Sequence, residues 1–107
     1  GYNNGAPANG IYGTSKSALS TYMKYAALDL AGKGIRCNAV QPGRINTPLI
    51  SNRLLSEEDV TKDIEQYPMK RYGKPEEVAH AIIYLLSDAS AWVTGTNLVI
   101  DGGRSLK

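Results

Sequence analysis

The chain carries the stretch YGTSK at residues 12–16, at the start of a segment that we predict to be helical to about residue 31. Residues four apart in a helix lie on one side of it with Cβ atoms about 5–6 Å apart, so Tyr12 and Lys16 can serve one site. The three residues between them are small, which would let a flat ligand approach the helix. The two side chains can therefore act as one unit.

A free phenol is a weak acid or base catalyst at neutral pH because its pKa is about 10. An ammonium about 6 Å away, at an effective dielectric near 20, stabilises the phenolate by on the order of 3 kcal/mol, or roughly two pKa units. The same spacing also arises in surface pairs, and we interpret Tyr67 and Arg71, which flank Pro68, as such a structural pair. The surrounding sequence must therefore separate the two interpretations.

Composition and charge are those of an ordinary globular domain. The 107 residues are 42% hydrophobic and 21% charged, and the formal charge of +2 is dispersed, which gives no support for nucleic-acid binding. The longest dense apolar run, residues 79–86, is too short to cross a bilayer, so we expect no membrane association. The single cysteine, Cys37, favours a reducing, cytoplasmic location, and we expect neither a disulfide nor a metal site. We interpret His80, the only histidine, as a surface or boundary residue.

Apolar spacing predicts a first helix over about residues 12–31. Leu19, Met23, Ala26 and Leu30 recur at helical intervals, so we expect them to form one buried face. Glycines on both sides of residue 33 then end the helix.

Residues 35–41 form a short apolar run that predicts a strand, closed by Pro42 and Gly43. A helix, a tight glycine turn and a strand make the second half of a βαβ unit. Because ligands of open parallel sheets bind beyond the carboxyl ends of the strands, residues 42–47 are predicted to lie at the edge of a site. Gly43 would let the backbone approach a ligand closely.

Residues 47–67 are predicted to form two short helices with irregular joints. Thr47 followed by Pro48 is typical of one helix start, and Ser56 followed by acidic residues is typical of another. Apolar residues such as Leu49 lie in this otherwise polar stretch. We interpret it as a flap over a substrate, with a plain structural excursion as the alternative.

The last part of the chain predicts a helix over about residues 75–88 and a strand over about residues 97–100. The helix is expected to bury Val78, Ile82, Leu85 and Leu86, joined by Ala79 and Ile83.

Four stretches in this order resemble the C-terminal half of the short-chain dehydrogenase/reductase family, over essentially the whole chain. They are YGTSK at 12–16, NAVQPGRINT at 38–47, RYGKPEEVA at 71–79 and TGTNLVIDGG at 94–103. The resemblance implies an α/β fold in which residues 1–107 form the C-terminal part of a doubly wound parallel-sheet domain of Rossmann type. Such a piece would be incomplete on its own.

The resemblance implies an oxidoreductase that uses NAD or NADP, without deciding between them, and acts on a carbonyl or secondary alcohol. Tyr12 would transfer the proton, while Lys16 would favour the phenolate and bond the nicotinamide ribose. The backbone of Ile45 would meet the carboxamide, and Thr47 would contact the carboxamide or the pyrophosphate. The implied cofactor-binding residues are Tyr12, Lys16, Pro42, Gly43, Ile45 and Thr47.

The resemblance also indicates what this sequence lacks. The family's glycine-rich fingerprint, the residue that selects between NAD and NADP, and the catalytic serine would all precede residue 1. Two parallel strands would leave sheet edges unpaired. We therefore expect this piece to be inactive alone, and either to belong to a longer chain or to pair its edges with another copy.

Two further functions stay open: an isomerase or dehydratase on the same fold, and a non-catalytic interaction module. We expect a homo-oligomer, a dimer or tetramer, because Tyr22 and Tyr25 lie off the helical stripe and would suit a partner subunit. Tyrosines that cover the domain's own surface are the alternative.

The substrate is expected to be a small molecule or a 3-oxoacyl group on an acidic carrier protein. Carrier binding would use a rim of basic residues near the flap, although scattered basic residues are usually only solvated. The rim comprises Arg44, Arg53, Lys70, Arg71 and Lys74. The predicted substrate-contacting residues are Arg44, Leu49 and Arg53.

Overall fold

The computed structural model describes residues 7–47 and 56–107, with side chains from residue 17 onward. The elements in chain order are helix α1 (Pro7–Ala31), strand β1 (Ala39–Pro42), helix α2 (Glu57–Glu65), helix α3 (Pro75–Leu86) and strand β2 (Asn97–Ile100). Short 3₁₀ turns follow α3 at Asp88–Ser90 and β2 at Arg104–Leu106.

Strands β1 and β2 pair in a two-stranded parallel sheet. The Ala39 N–H donates to the Thr96 carbonyl and the Gly43 N–H to the Ile100 carbonyl, both at 2.9 Å. Both strands advance in the same direction between these two bonds, which makes the pairing parallel. The expected fold class, an α/β fold with a partial parallel sheet, is confirmed.

The chain divides into two compact units. Among the described residues, the first unit contains residues 7–39 and 85–98, and the second contains residues 40–47, 56–84 and 99–107. The buried apolar side chains of the first unit are Met23, Ala27 and Leu85, and that of the second unit is Tyr67.

Polar bonds complete the interior of the first unit at the end of α3. The hydroxyl of Ser90, which is fully buried, lies 3.0 Å from the carbonyls of both Leu85 and Ser87. The Arg36 guanidinium donates to the same two carbonyls, at 2.9 and 3.3 Å, and to the Val93 carbonyl at 3.1 Å. The last carbonyls of a helix have no partner within it, so these two side chains satisfy the helix end.

Helix α1 begins at Pro7, earlier than the predicted position 12. Proline suits the first position of a helix because its fixed φ is helical and its missing N–H would be unpaired there. Residues 7–11 are therefore helical as well.

The predicted buried stripe of α1 is only partly correct. Met23 is buried, but Leu19 is 66% exposed, and Ala27 is buried in its place. A Cβ on Gly95 would lie 3.6 Å from the Ala27 Cβ, so the turn before β2 packs against this part of the helix. Leu19 is about 12 Å along the axis from Ala27, beyond the covered part.

Strand β1 begins at Ala39 and not at residue 35 as predicted. Just before it, the Cys37 N–H bonds the Thr94 hydroxyl at 3.1 Å, and the Gly95 N–H bonds the Cys37 carbonyl at 2.8 Å. Gly95 has a φ of +74°, which is the left-handed conformation of a turn. A turn cannot continue a parallel ladder, so the strand starts after it.

Helix α3 ends at Leu86 and not at the predicted residue 88, and part of its predicted buried stripe is exposed. Leu85 is buried, but Ile82, Ile83 and Leu86 are 41%, 61% and 80% exposed. Apolar spacing identifies the apolar side of a helix, whereas burial also needs an element that covers it. Within the described part of the chain, no helix combines the length and the apolar character that a membrane span requires.

Helix α2 begins where the second helix of the flap was predicted. The Ser56 hydroxyl accepts a hydrogen bond from the Asp59 N–H at 3.1 Å and so caps the helix, which has three acidic residues in its first turn. The other predicted flap helix, with Pro48, Leu49 and Arg53, lies outside the described residues.

Candidate active site

Tyr12 and Lys16 both belong to α1, where four positions correspond to about one helical turn. Their side chains lie outside the described part of the structure, so their pairing stays a prediction. The substrate-contacting residues Leu49 and Arg53 also lie outside it.

The loop of residues 42–47 leaves the carboxyl end of β1, where the sequence placed the edge of a site. Pro42 is the last residue of β1, and Ile45 and Thr47 are half-buried. Ile45 forms an isolated parallel bridge with Gly73, which lies just before α3. The loop is therefore fixed to a second segment beyond the sheet.

The bridge determines where the peptide groups of Ile45 point. The Gly73 N–H donates to the Arg44 carbonyl at 3.0 Å, and the Asn46 N–H donates to the Gly73 carbonyl at 2.8 Å. Because each peptide is planar and trans, the N–H and C=O of Ile45 point away from Gly73. Among residues 7–47 and 56–107, neither group has a hydrogen-bond partner. One backbone donor and one backbone acceptor thus point together toward the side of the loop opposite Gly73.

Gly43 has a packing role within the chain, and its predicted role in the approach of a ligand stays a prediction. A Cβ at this position would lie 2.9 Å from the Asp101 Cβ and 3.2 Å from the Tyr67 Cε1. The small size of Gly43 therefore allows the loop to pack against the turn after β2 and the Tyr67 ring. On that side protein atoms, and not a ligand, occupy the space that a side chain would fill.

Tyr67 supports the loop with its buried ring and its hydroxyl. Its ring is buried, and its hydroxyl accepts a hydrogen bond from the Arg44 N–H at 3.1 Å. The ring also packs edge to face against Tyr72, with centroids 5.9 Å apart. The structural interpretation of Tyr67 thus agrees with its contacts.

Arg44, a predicted substrate residue, is bound within the protein. Its Nη1 donates to the Asp63 Oδ2 at 2.7 Å, and the Tyr72 hydroxyl donates to the same oxygen at 2.6 Å. The guanidinium also lies 5.9 Å from the centre of the Tyr72 ring, a cation–π distance. Burial and the bond to Asp63 raise the pKa of Tyr72, so this phenol stays protonated.

Arg71 is also paired with an acidic side chain of this chain. Its two terminal nitrogens bond the two carboxylate oxygens of Glu77 at 2.7 and 2.8 Å, and the Lys74 N–H donates to the same carboxylate at 2.9 Å. The Arg71 bonds, followed by the Lys74 amide, lower the pKa of Glu77 to about 2. Lys70 donates to the Glu65 carbonyl at 3.2 Å. Three of the predicted basic-rim residues thus have partners in this chain.

The loop and the segments packed against it enclose a cavity in the second unit. Arg44, Tyr67, Gly73 and Asp101 contribute to its lining, and its volume is about 100 Å³. Cofactor pockets typically measure about 300–1,000 Å³, so this cavity suits a few water molecules.

No local sequence signal identifies Asp63 or Tyr72 as part of the site. Asp63 is 19 residues from Arg44 and nine from Tyr72, so no helical or strand spacing links them. Only the adjacency of α2 to the loop brings these residues together.

The fold and the loop define a chain of the Rossmann-type α/β class. The family described as enoyl-(acyl carrier protein) reductase matches residues 1–105. The chain therefore belongs to the short-chain dehydrogenase/reductase family, as the resemblance implied.

Two curated relatives illustrate the match. Glucose 1-dehydrogenase 2 of Bacillus subtilis is 45% identical over 101 residues, which cover 94% of this chain and 38% of that protein. The 3-oxoacyl-[acyl-carrier-protein] reductase FabG of Thermotoga maritima is 43% identical over 99 residues, which cover 92% of this chain and 39% of that protein. The chain thus spans less than half the length of these relatives.

Solved structures agree with this assignment. A short chain dehydrogenase family protein of Francisella tularensis superposes with a TM-score of 0.82 at 34% identity, covering 98% of this chain and 47% of that one. A 4-hydroxyisoleucine dehydrogenase mutant complexed with NADH and succinate superposes with a TM-score of 0.80 at 31% identity, covering 88% of this chain and 39% of that one.

Proposed function

We propose that the protein containing this chain is an NAD- or NADP-dependent oxidoreductase acting on a carbonyl or secondary alcohol. The observation that carries the proposal is the outward-facing N–H and C=O of Ile45 at the carboxyl end of β1. A carboxamide has donor N–H groups and an acceptor oxygen, which complement these two backbone groups. The nicotinamide, when bound, supplies the hydride chemistry.

The remaining predicted residues take the roles that their chemistry allows. Tyr12 donates or accepts the proton at the substrate oxygen, and the Lys16 ammonium favours the phenolate and bonds the nicotinamide ribose. Thr47 contacts the carboxamide or the pyrophosphate with its hydroxyl. Pro42 and Gly43 shape the loop, because Gly43 permits its close packing against the turn after β2.

Titration of the full-length protein with NADH and NADPH, followed by fluorescence, tests cofactor binding. Ketones and secondary alcohols are then tested by the absorbance of the reduced nicotinamide. Saturable binding and a substrate-dependent absorbance change are expected, and binding of neither nucleotide would reject the proposal in favour of a non-catalytic module. Substrate turnover without a net absorbance change would indicate an isomerase or dehydratase.

We also propose that residues 1–107 alone do not have this activity. The two strands β1 and β2 provide only a small part of a sheet that parallel strands normally form with neighbours on both sides. Micromolar binding of either nucleotide by the isolated chain would contradict this proposal.

A small carbonyl or alcohol fits the described residues better than a carrier-linked substrate. Arg44 and Arg71 are paired with Asp63 and Glu77, which reduces the positive potential of the basic rim. The similarity to a 3-oxoacyl-[acyl-carrier-protein] reductase keeps the carrier as a second candidate.

A variant with both Arg53→Glu and Lys74→Glu tests whether the basic rim binds an acidic carrier protein. These two positions are chosen because neither change breaks the Arg71–Glu77 pair. Carrier binding predicts a loss of activity on the carrier-linked substrate with small ketones unaffected. Equal effects on both substrates would reject it.

We propose that the protein forms a dimer or tetramer through the exposed side of α1. Tyr22 and Tyr25 are 75% and 70% exposed, although tyrosine rings are favoured in interfaces. Replacement of both by Asp in the full-length protein should lower the mass measured by light scattering. An unchanged mass would exclude these tyrosines from the assembly. We further propose a cytoplasmic location, which suits a chain with a single cysteine, Cys37.

A further inference from the structure

Asp63, on α2, connects that helix to both sides of the Ile45–Gly73 bridge. Its Oδ2 accepts a bond from Arg44, the residue before Ile45, and another from Tyr72, the residue before Gly73. Hydrogen bonds to a carboxylate are shorter and about twice as strong as those between neutral groups. A single oxygen therefore holds together the two segments that form the bridge.

Arg44 is fixed at three points. Its N–H bonds the Tyr67 hydroxyl, its carbonyl bonds the Gly73 N–H, and its side chain bonds Asp63. The carbonyl of Arg44 and the N–H of Ile45 belong to one planar peptide. The direction of the Ile45 N–H therefore depends on how firmly Arg44 is held.

The Arg44–Asp63 ion pair is less exposed to solvent than the other ion pair of α2. The Arg44 and Asp63 side chains are 45% and 31% exposed, and Arg44 also lies over the Tyr72 ring. By comparison, the other α2 pair, Glu58 and Lys62, joins side chains that are 78% and 71% exposed across 3.3 Å. Exposed pairs of this second kind contribute little to stability. Glu58 thus provides a matched control on the same helix.

We propose that Asp63 is a positioning residue for cofactor binding, which holds the Ile45 peptide groups in place and couples α2 to the cofactor loop. This inference rests on the proposed nicotinamide function of the loop. Asp63 touches neither substrate nor cofactor and acts through Arg44 and Tyr72.

The test compares Asp63→Ala, Asp63→Asn and Glu58→Ala in the full-length protein. Amide hydrogen exchange at Asn46 and Gly73 measures the bridge directly, and NADH and NADPH titrations with steady-state kinetics measure the consequence. Loss of two bonds to a charged group predicts about tenfold faster exchange and about tenfold weaker cofactor binding in Asp63→Ala, with kcat changed less than about threefold. Asp63→Asn, which keeps an acceptor oxygen for Tyr72, should give a smaller change.

Exchange and cofactor affinity in Asp63→Ala equal to those in Glu58→Ala would overturn the inference. A fall in kcat with unchanged cofactor affinity would overturn it as well, because positioning acts on binding. If the Ala variant does not fold, the Asn variant decides by the same two readouts. Failure of the proposed function is recognised separately, as an unmodified protein that binds neither nucleotide; exchange at Asn46 and Gly73 then decides whether Asp63 holds the loop.

Discussion

Buried apolar side chains and ion pairs are distributed differently between the two compact units. In the second unit, the loop after β1 is held by charged and polar side chains whose partners lie within the unit, such as Arg44 with Asp63 and Arg71 with Glu77. In the first unit, Met23, Ala27 and Leu85 are buried, while large apolar side chains such as Leu28 and Trp92 are 78% and 100% exposed. Polar contacts can be complete within a small unit, whereas an apolar helix side needs a covering element.

The largest expected effect concerns the first unit and the predicted catalytic pair. Tyr12→Phe in the full-length protein should lower kcat by on the order of 10²–10⁴, because it removes a positioned proton donor. Cofactor affinity, which in our proposal depends on the loop of the second unit, should change little. Steady-state kinetics and nucleotide titration measure the two quantities.

Tyr25→Phe is the matched control, since Tyr25 is an exposed tyrosine of the same helix. It should leave kcat unchanged. Near-normal turnover of Tyr12→Phe would remove Tyr12 from the mechanism.

The next effect is on the stability of the first unit. Arg36→Ala removes the charged donor that serves three carbonyls, so the free energy of unfolding should fall by roughly 2–3 kcal/mol. Urea denaturation of the full-length protein measures it. Lys33→Ala, at an exposed position nearby, should change stability by less than about 0.5 kcal/mol. Equal losses in both variants would show that the carbonyl bonds of Arg36 do not stabilise the unit.

Ser90→Ala should have a smaller effect at the same helix end. Its hydroxyl is fully buried, but the carbonyls of Leu85 and Ser87 would keep their bonds from Arg36. We expect a loss of about 1 kcal/mol in the free energy of unfolding, against no measurable loss for the exposed Ser17→Ala. A loss as large as that of Arg36→Ala would show that the Ser90 hydroxyl contributes as much to the stability of this helix end as Arg36 does.

The smallest expected effect is a dependence of the second unit's stability on pH. The pKa of Glu77 is lowered to about 2, so its ionised form stabilises the fold above its ordinary pKa of 4.5, and this stabilisation is lost as the pH falls toward 2. The melting temperature of the wild type should therefore exceed that of Glu77→Gln at pH 6, and the difference should shrink between about pH 4.5 and pH 2.

Glu76→Gln is the control, because Glu76 is an exposed neighbour in the same helical turn. Its difference from the wild type should be small and nearly independent of pH. A difference for Glu77→Gln that stays constant down to pH 2 would contradict the charged pairing with Arg71.

The sequence predicted elements whose signals are local. The spacing in α1, the cap at Ser56 and the turn after β1 each depend on residues close in the chain, and the structure has an element at each place. The errors arise where distant residues decide. The exposure of Leu19 depends on what covers α1, and the late start of β1 depends on a turn at Gly95 far along the chain.

The candidate site shows the same difference between local signals, which the sequence reveals, and contacts between distant residues, which it does not. The motif placed Ile45 at the end of a parallel strand, but it could not show that Gly43 packs against Asp101 or that Arg44 is bound by Asp63. Spacing does not reveal such contacts, because they join residues that are far apart in the sequence. The positions of the Tyr12 and Lys16 side chains remain predictions.

The alternation of the loop's peptide groups constrains its length. The Arg44 carbonyl and the Asn46 amide face Gly73, while the groups of Ile45 between them face the opposite way. Insertion or deletion of one residue between Gly43 and Asn46 would invert this alternation and turn the outward pair toward Gly73. Evolution should therefore tolerate substitutions in this segment far more readily than gaps, and an alignment of homologous chains should be ungapped here.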